Sequence, residues 1–286
     1  MSLRILALTV LAMIAFAANS VIGRLALIEG EIGAGSFAVI RLVSGAAILM
    51  AILAMRRLPL LGNWAAALAL LIYAVFFSYA YIALPAGTGA IILFAIVQVT
   101  MIGWGATKGE RPSSLQWVGL ATAFAALIWL VSPGVEAPSL IASLSMVMAG
   151  FGWGIYSLLG RGAGDPTAMT AGNFIRASLL ACLIAPILLL GAPEPIPSVS
   201  GVGLAVLSGA VTSGLGYVIW YAALKELSAT RASIAQLSVP AIAALGGVLF
   251  LSEPITLRFA LATALILSGV ALATLTREAR ARKSPQ

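Results

Sequence analysis

From Leu3 to Leu275 the chain is a succession of apolar runs, ten in all, separated by breaks too short to hold a soluble domain. A helix that crosses a bilayer needs about 20 mostly apolar residues. Cutting the sequence at Gly, Pro and charge clusters gives candidate spans of that size: Leu3 to Leu27, Ser36 to Met55, Trp64 to Leu84, Thr88 to Thr107, Leu115 to Val131, Leu140 to Leu159, Thr170 to Leu190, Val202 to Leu224, Arg231 to Leu251 and Ile255 to Leu275. Only 9% of the 286 residues are charged and 62% are hydrophobic, whereas soluble domains carry about 25% charged residues. Inside a bilayer the backbone must satisfy its own hydrogen bonds, which helices do within one segment. The expected fold is an all-α integral membrane protein.

The placement of charge sets an orientation, because Lys and Arg in short loops favour the cytoplasmic side. One set of span ends holds Arg4, Arg56, Arg57, Lys108, Arg111, Arg161, Lys225, Arg231, Arg277, Arg280, Arg282 and Lys283; the other holds only Arg24 and Arg258. Both termini are therefore expected on the cytoplasmic side of a bacterial-type inner membrane. The net charge of +7 reads as a topology signal, and no nucleic-acid partner is expected. Arg4, an apolar core and Ala15, Phe16 and Ala17 imitate a signal peptide with its cleavage site. The same stretch has a counterpart in mid-chain, so it reads as the first span.

That counterpart is a repeated pattern. Phe16, Asn19, Ser20, Gly23 and Arg24 in FAANSVIGR match Trp153, Tyr156, Ser157, Gly160 and Arg161 in WGIYSLLGR, shifted by 137 residues. Spacings of three, four and seven put all but the Arg on one helix face. Ile40 and Arg41 match Ile175 and Arg176; Phe77, Tyr81, Ala83 and Leu84 match Tyr217, Tyr221, Ala223 and Leu224; Thr88 to Pro112 aligns with Thr230 to Pro254 without a gap. Five spans per half is an odd number, so the second copy crosses the membrane in the opposite sense, as in many secondary transporters. The expected domains are a first five-helix repeat over residues 1–137, an inverted second repeat over 138–276, and a cytoplasmic basic tail over 277–286. The expected architecture is ten transmembrane helices in two inverted repeats around a central cavity.

The ten spans, the repeat, the Ile-Arg pairs of spans 2 and 7, the YAAL run closing span 8 and QLSVPAIAALGGVLFLSEPIT from span 9 into span 10 resemble the drug/metabolite transporter superfamily. More narrowly, the chain is similar to its EamA-type ten-helix exporters of amino acids and metabolites. The most specific part is Pro240 to Pro254; in the first half Gln98 stands where the alignment puts Pro240. The resemblance implies that helices 1, 3, 4, 6, 8 and 9 line the cavity and that rocking of the halves exposes it to either side in turn.

Charge is costly within a bilayer, so intramembrane charges are the first functional candidates. All nine acidic residues, Glu29, Glu31, Glu110, Glu136, Asp165, Glu194, Glu226, Glu253 and Glu278, fall at span ends, in loops or in the tail, and there is no His. The interior therefore offers no ordinary proton carrier, and facilitated or exchange transport is expected in place of tight proton coupling. With a single Cys, Cys182, intrachain disulfides and Cys/His metal sites are excluded, and no cofactor is expected. Arg41 and Arg176 lie about two turns into spans 2 and 7. Each guanidinium either snorkels to the interface or a helix cap, or makes a carboxylate or gate contact.

The repeated face supplies the expected binding residues: Asn19, Trp153 and Tyr156 on spans 1 and 6, Phe77, Tyr81, Tyr217 and Tyr221 on spans 3 and 8, and Gln98 and Gln236 on spans 4 and 9. Amides and phenols in hydrocarbon need partners, so they face protein or water. Such an uncharged aromatic lining suits a neutral or zwitterionic solute, above all an amino acid with a large hydrophobic or aromatic side chain. A multidrug or lipid-like solute exporter or flippase of the same superfamily is the alternative. Pro240 removes a backbone hydrogen bond within span 9 and marks a hinge candidate, with Arg41 and Arg176 as gating candidates. Tyr73, Tyr79, Trp64, Trp117 and Trp129 read as interfacial anchors. The expected partners are the solute and membrane lipid; an internally duplicated unit can work as a monomer, with a homodimer as the alternative.

Overall fold

The computed structural model describes residues 2–107, 113–134, 137–160, 164–190, 194–227 and 229–281. Lys108, Glu110, Arg111, Glu136, Arg161, Arg282 and Lys283, and the side chains of Arg277, Glu278 and Arg280, lie outside the described residues, so the basic loops and tail used to orient the chain are only partly represented.

Among the described residues the regular elements are all helical: α1 (Leu3–Ile28), α2 (Ala34–Arg56), α3 (Trp64–Tyr81), α4 (Ala86–Thr107), α5 (Ser114–Val131), α6 (Leu140–Leu159), α7 (Pro166–Leu190), α8 (Val199–Val206), a π-helical stretch (Leu207–Leu215), α9 (Gly216–Leu224), α10 (Ala229–Gln236), α11 (Ser238–Leu251) and α12 (Leu257–Ala281). Eight stretches, α1 to α7 and Val199–Leu224, are long and apolar enough to cross a membrane, and Ser238–Leu251 and Leu257–Ala273 are shorter apolar helices. Small polar residues start the helices by accepting from first-turn amides. Asn63 Oδ1 accepts from Ala66 N at 2.8 Å. Ser113 and Gln116 exchange such bonds at the start of α5.

Two boundaries differ from the sequence expectation. Span 9 breaks at Leu237 into α10 and α11. Pro240, three residues on, cannot donate to the carbonyl of Gln236 and its ring crowds that carbonyl, so the helix parts where the proline requires it. Span 8 is continuous but widens into π-helical turns over Leu207–Leu215, a change that no residue in LSGAVTSGL announces.

Large apolar side chains cover the outside: Leu183 is 75% exposed, Phe250 73% and Leu257 72%. Such a surface is fit for lipid and not for water. The most enclosed span is α4, whose apolar window is 72% buried, against 28% for α7. Around α4 the helices pair: α2 on α7, α4 on α11, α5 on α12, α3 on α6, α1 on α9 and α11, and α2 on the π-helical stretch. Small residues set how closely they pair. A Cβ on Gly119 would come within 2.4 Å of Gly269 O, and a Cβ on Gly269 within 2.5 Å of Gly119 O, with Ala123 and Ala273 one turn on. The α5–α12 contact is thus a small-xxx-small crossing from both sides.

Candidate functional site

The faces predicted to be shared do meet, and they meet as a column of rings. Tyr81 packs on Phe77 (centroids 4.6 Å apart), Phe77 on Tyr73 (5.3 Å), Tyr73 on Trp153 (5.2 Å), Trp153 on Tyr217 (4.6 Å) and Tyr156 (5.6 Å), and Tyr156 on Tyr221 (6.2 Å). Phe16 stands edge-on to Trp153, Tyr217 and Trp220. On α3 the rings four apart, Tyr73, Phe77 and Tyr81, pack edge to face along the helix because i and i+4 share a face. The repeated Gly makes room for the ends of the column. A Cβ on Gly23 would lie 2.9 Å from the Phe77 ring and 3.6 Å from Tyr81, and one on Gly160 2.7 Å from the Tyr221 hydroxyl.

Among the described residues, the ring column does not enclose the expected open cavity. The rings interlock and leave a void of about 10 Å³, lined by Phe16, Asn19, Tyr73, Phe77, Trp153 and Tyr217 among others. That is room for about one water. Large flat side chains at every position of a shared face fill the space between the helices unless a guest holds them apart.

Arg41 corrects the snorkelling expectation and the uncharged lining together. It is 1% exposed. Its Nε donates to Ser213 Oγ at 3.1 Å, and its Nη2 donates to the Tyr73 hydroxyl at 2.9 Å and the Tyr217 hydroxyl at 3.4 Å. The guanidinium carbon stands 4.5 Å from the Phe77 ring centre and 4.8 Å from that of Tyr73, within the range of a cation–π attraction. Tyr73, read as an interfacial anchor, is buried at the centre of the column. Four-residue spacing from Phe77 and Tyr81 was the signal that could have found it. Trp64, Trp117 and Trp129 are exposed on the outer surface, and half-buried Tyr79 donates to Leu188 O at 3.4 Å.

Asn19 belongs to the same network and is fully engaged. Its Nδ2 donates to the Tyr73 hydroxyl at 3.2 Å, and its Oδ1 accepts from Ser208 Oγ at 2.7 Å and Thr212 Oγ1 at 3.0 Å. Ser208, Thr212 and Ser213 were not singled out in the sequence; all three come from the π-helical stretch. Gln98 and Gln236 are buried, but neither lines the void. Arg176 stays apart from the column: half-buried, it donates to Leu61 O and Gly172 O, each at 2.9 Å. Pro240 is buried in the first turn of α11.

At the Tyr81 end the column is closed by an ion pair that sequence spacing could not announce. Arg24 Nε meets Glu253 Oε1 at 3.1 Å. Arg24 Nη1 also donates to Tyr81 O (3.1 Å) and Ile82 O (2.8 Å), while Glu253 Oε2 accepts from Ala86 N at 2.8 Å. The pair thereby ties α1, the α3–α4 turn and the α11–α12 turn together. Outside it lies a pocket of about 330 Å³ that includes Pro85, Thr88, Ser139, Glu253 and Phe259.

Residues 140–275 match the model of the EamA-like transporter family. A Pseudomonas aeruginosa protein described as uncharacterized is 47% identical over 283 residues, covering 98% of each chain. An uncharacterized transporter of Archaeoglobus fulgidus is 25% identical over 207 residues, 70% of this chain and 71% of that one. The Bacillus subtilis uncharacterized transporter YoaV is 26% identical over 177 residues, 58% and 59% of the two chains. A protein of known crystal structure superposes with a TM-score of 0.68 at 19% identity, over 98% of this chain and 99% of that one.

Proposed function

This chain belongs to the EamA-like transporter family of the drug/metabolite transporter superfamily, whose members move small solutes across membranes, and on that premise we propose that it exports or exchanges amino acids with large hydrophobic or aromatic side chains. The observation that carries the substrate class is the ring column. A buried file of Phe, Trp and Tyr runs between the helices, with hydroxyl and amide heads and the Arg41 guanidinium along it. Rings that stack on one another when alone will stack on an aromatic or branched side chain when parted, at little change in buried apolar area.

Alternating access fits the same geometry. Exchanging the halves turns the α3–α6 pairing into α1 with α9, and leaves α2–α7, α4–α11 and α5–α12 each paired with itself. That pairing is consistent with two equivalent halves; the odd number of spans per half then makes the repeats inverted, and the placement of Lys and Arg puts both termini on the cytoplasmic side, with the Arg24–Glu253 latch at the opposite face. The break at Leu237 before Pro240 gives span 9 a point at which to bend. Among the described residues no acidic side chain lines the void of the ring column, and Glu253 at its end is paired with Arg24, so transport proceeds without an intramembrane carboxylate and is driven by solute gradients or exchange.

The test is counterflow into liposomes holding the purified chain, with labelled phenylalanine, tryptophan, leucine, glucose and a cationic dye. Exchange of the amino acids, little changed by an imposed pH gradient, is expected. Dye movement without amino-acid movement supports the multidrug alternative, and strong acceleration by a pH gradient contradicts the uncoupled mechanism.

A further inference from the structure

Among the groups around the column, the buried polar atoms left over are the Tyr156 and Ser157 hydroxyls, which can donate or accept, and three atoms that can only donate. The Tyr73 hydroxyl accepts from both Asn19 Nδ2 and Arg41 Nη2 and is also hydrogen-bonded with the Tyr217 hydroxyl, so it is fully engaged. The acceptor on Asn19 is taken by Ser208 and Thr212. Arg41 Nη1 and Trp153 Nε1 are buried without an acceptor, and so is Gln98 Nε2, one turn along α4 from Phe94 on the wall of the void. Each of these atoms is a donor, and one of them carries a full positive charge. Among the described residues the one ion pair is Arg24–Glu253, so Arg41 has no carboxylate of the protein's own beside it. Buried polar groups in folded proteins find partners, and a buried charge all the more.

A tie between helices would account for part of Arg41. Its Nε and Nη2 bind α3, α9 and the π-helical stretch, and the Phe77 and Tyr73 rings hold the guanidinium flat against the column. The tie leaves Nη1 unused, beside rings whose separation would admit a guest. The Nη1 that remains is a charged donor with no acceptor, able to make a charge-assisted hydrogen bond to a carboxylate.

We infer that Arg41 is the carboxylate anchor of the solute site, with Trp153 Nε1 as a further donor, and that the solutes are carboxylates bearing an apolar group, amino acids among them. This rests on the reading of the ring column as the solute site. It makes the site selective for the acid end of the solute, and it disfavours cations, which would meet a like charge in a medium of low dielectric.

The experiment is calorimetric binding to the full chain in lipid nanodiscs of four probes that share a phenyl ring and differ in their polar ends: L-phenylalanine, 3-phenylpropionate, L-phenylalaninamide and phenethylamine. The two acids are expected to bind about tenfold tighter or more than the amide and the amine, the range that a charge-assisted hydrogen bond supplies. Arg41→Gln removes that preference and Arg41→Lys keeps part of it. The comparison on the unaltered chain stands even if a variant fails to fold. Equal binding of acid and amide overturns the carboxylate anchor while leaving the ring column as the solute site. Binding of none of the four overturns the solute reading and the anchor with it.

Discussion

Arg41 and Arg176 both follow an isoleucine near the start of corresponding spans, yet one is sealed at the centre of the molecule and the other is drawn to the backbone near an end. The neighbours decide this. Arg41 meets Tyr73, Tyr217 and Ser213, whose oxygens reach it across the α2 interface. At the place that corresponds to Tyr73 the second half has Ser213, too short to offer the same hydroxyl to Arg176. The segment before α3 supplies a substitute. Asn63 N donates to Asn173 Oδ1 at 2.9 Å, which lays that segment on α7, and Gly172 there lets Leu61 O come close enough to accept from Arg176. Two Ile-Arg pairs alike in sequence thus meet different neighbours and make different bonds.

The largest test of that contrast replaces each Arg by Met. Arg41→Met is expected to slow amino-acid counterflow about ten- to a hundredfold, the worth of one hydrogen bond to a charged group. Arg176→Met should leave counterflow near that of the unaltered chain; equal losses in the two variants break the comparison. Next in size is Tyr73→Phe, which strips the shared acceptor from Arg41 and Asn19 and should cost about 1–3 kcal/mol of stability, read by thermal unfolding in detergent. The corresponding Ser213→Ala should cost less, because Arg41 keeps Tyr73.

Smaller still are Gly23→Ala and Gly160→Ala. Each added methyl meets a ring atom under 3 Å away, and overpacking of this kind costs about 1–3 kcal/mol where the neighbour cannot move and less where it can. Phe77 is held by Tyr73, Tyr81 and Arg41, so the first-half variant should lose more. Equal losses would mean that the two ends of the column are equally rigid. Glu253→Gln serves as a control on a paired cation. It should lower the unfolding temperature by loosening Arg24, without altering the preference for acid over amide that is assigned to Arg41.

How much of this was legible follows from how far apart the partners are. The spans could be read because bilayer thickness fixes a run length that each segment carries within itself. The break in span 9 was foreshadowed by Pro240, a local cause. The ring faces were legible because i, i+4 spacing is local too. Arg41 was not, since its acceptors lie 32, 172 and 176 residues away and snorkelling and burial look alike in one helix. Tyr73 did carry a local signal, since it stands four residues before Phe77 and eight before Tyr81 on the same helix face, and the anchor reading passed over it. The π-helical stretch depends on close approach to α2, where a Cβ on Gly209 would lie 2.1 Å from Arg41 O, a contact between residues far apart in the chain.

The account stands on the claim that solute passes between the rings of the column, and solute protection of a cysteine placed there tests it most directly. Phe16→Cys, on the wall of the void, is combined with Cys182→Ser, which removes the native exposed thiol. In liposomes a membrane-impermeant maleimide should label it more slowly when saturating phenylalanine is present, while Leu60→Cys in the exposed segment between α2 and α3 should show no such protection. Labelling of Phe16→Cys at the same rate with and without solute would contradict the account.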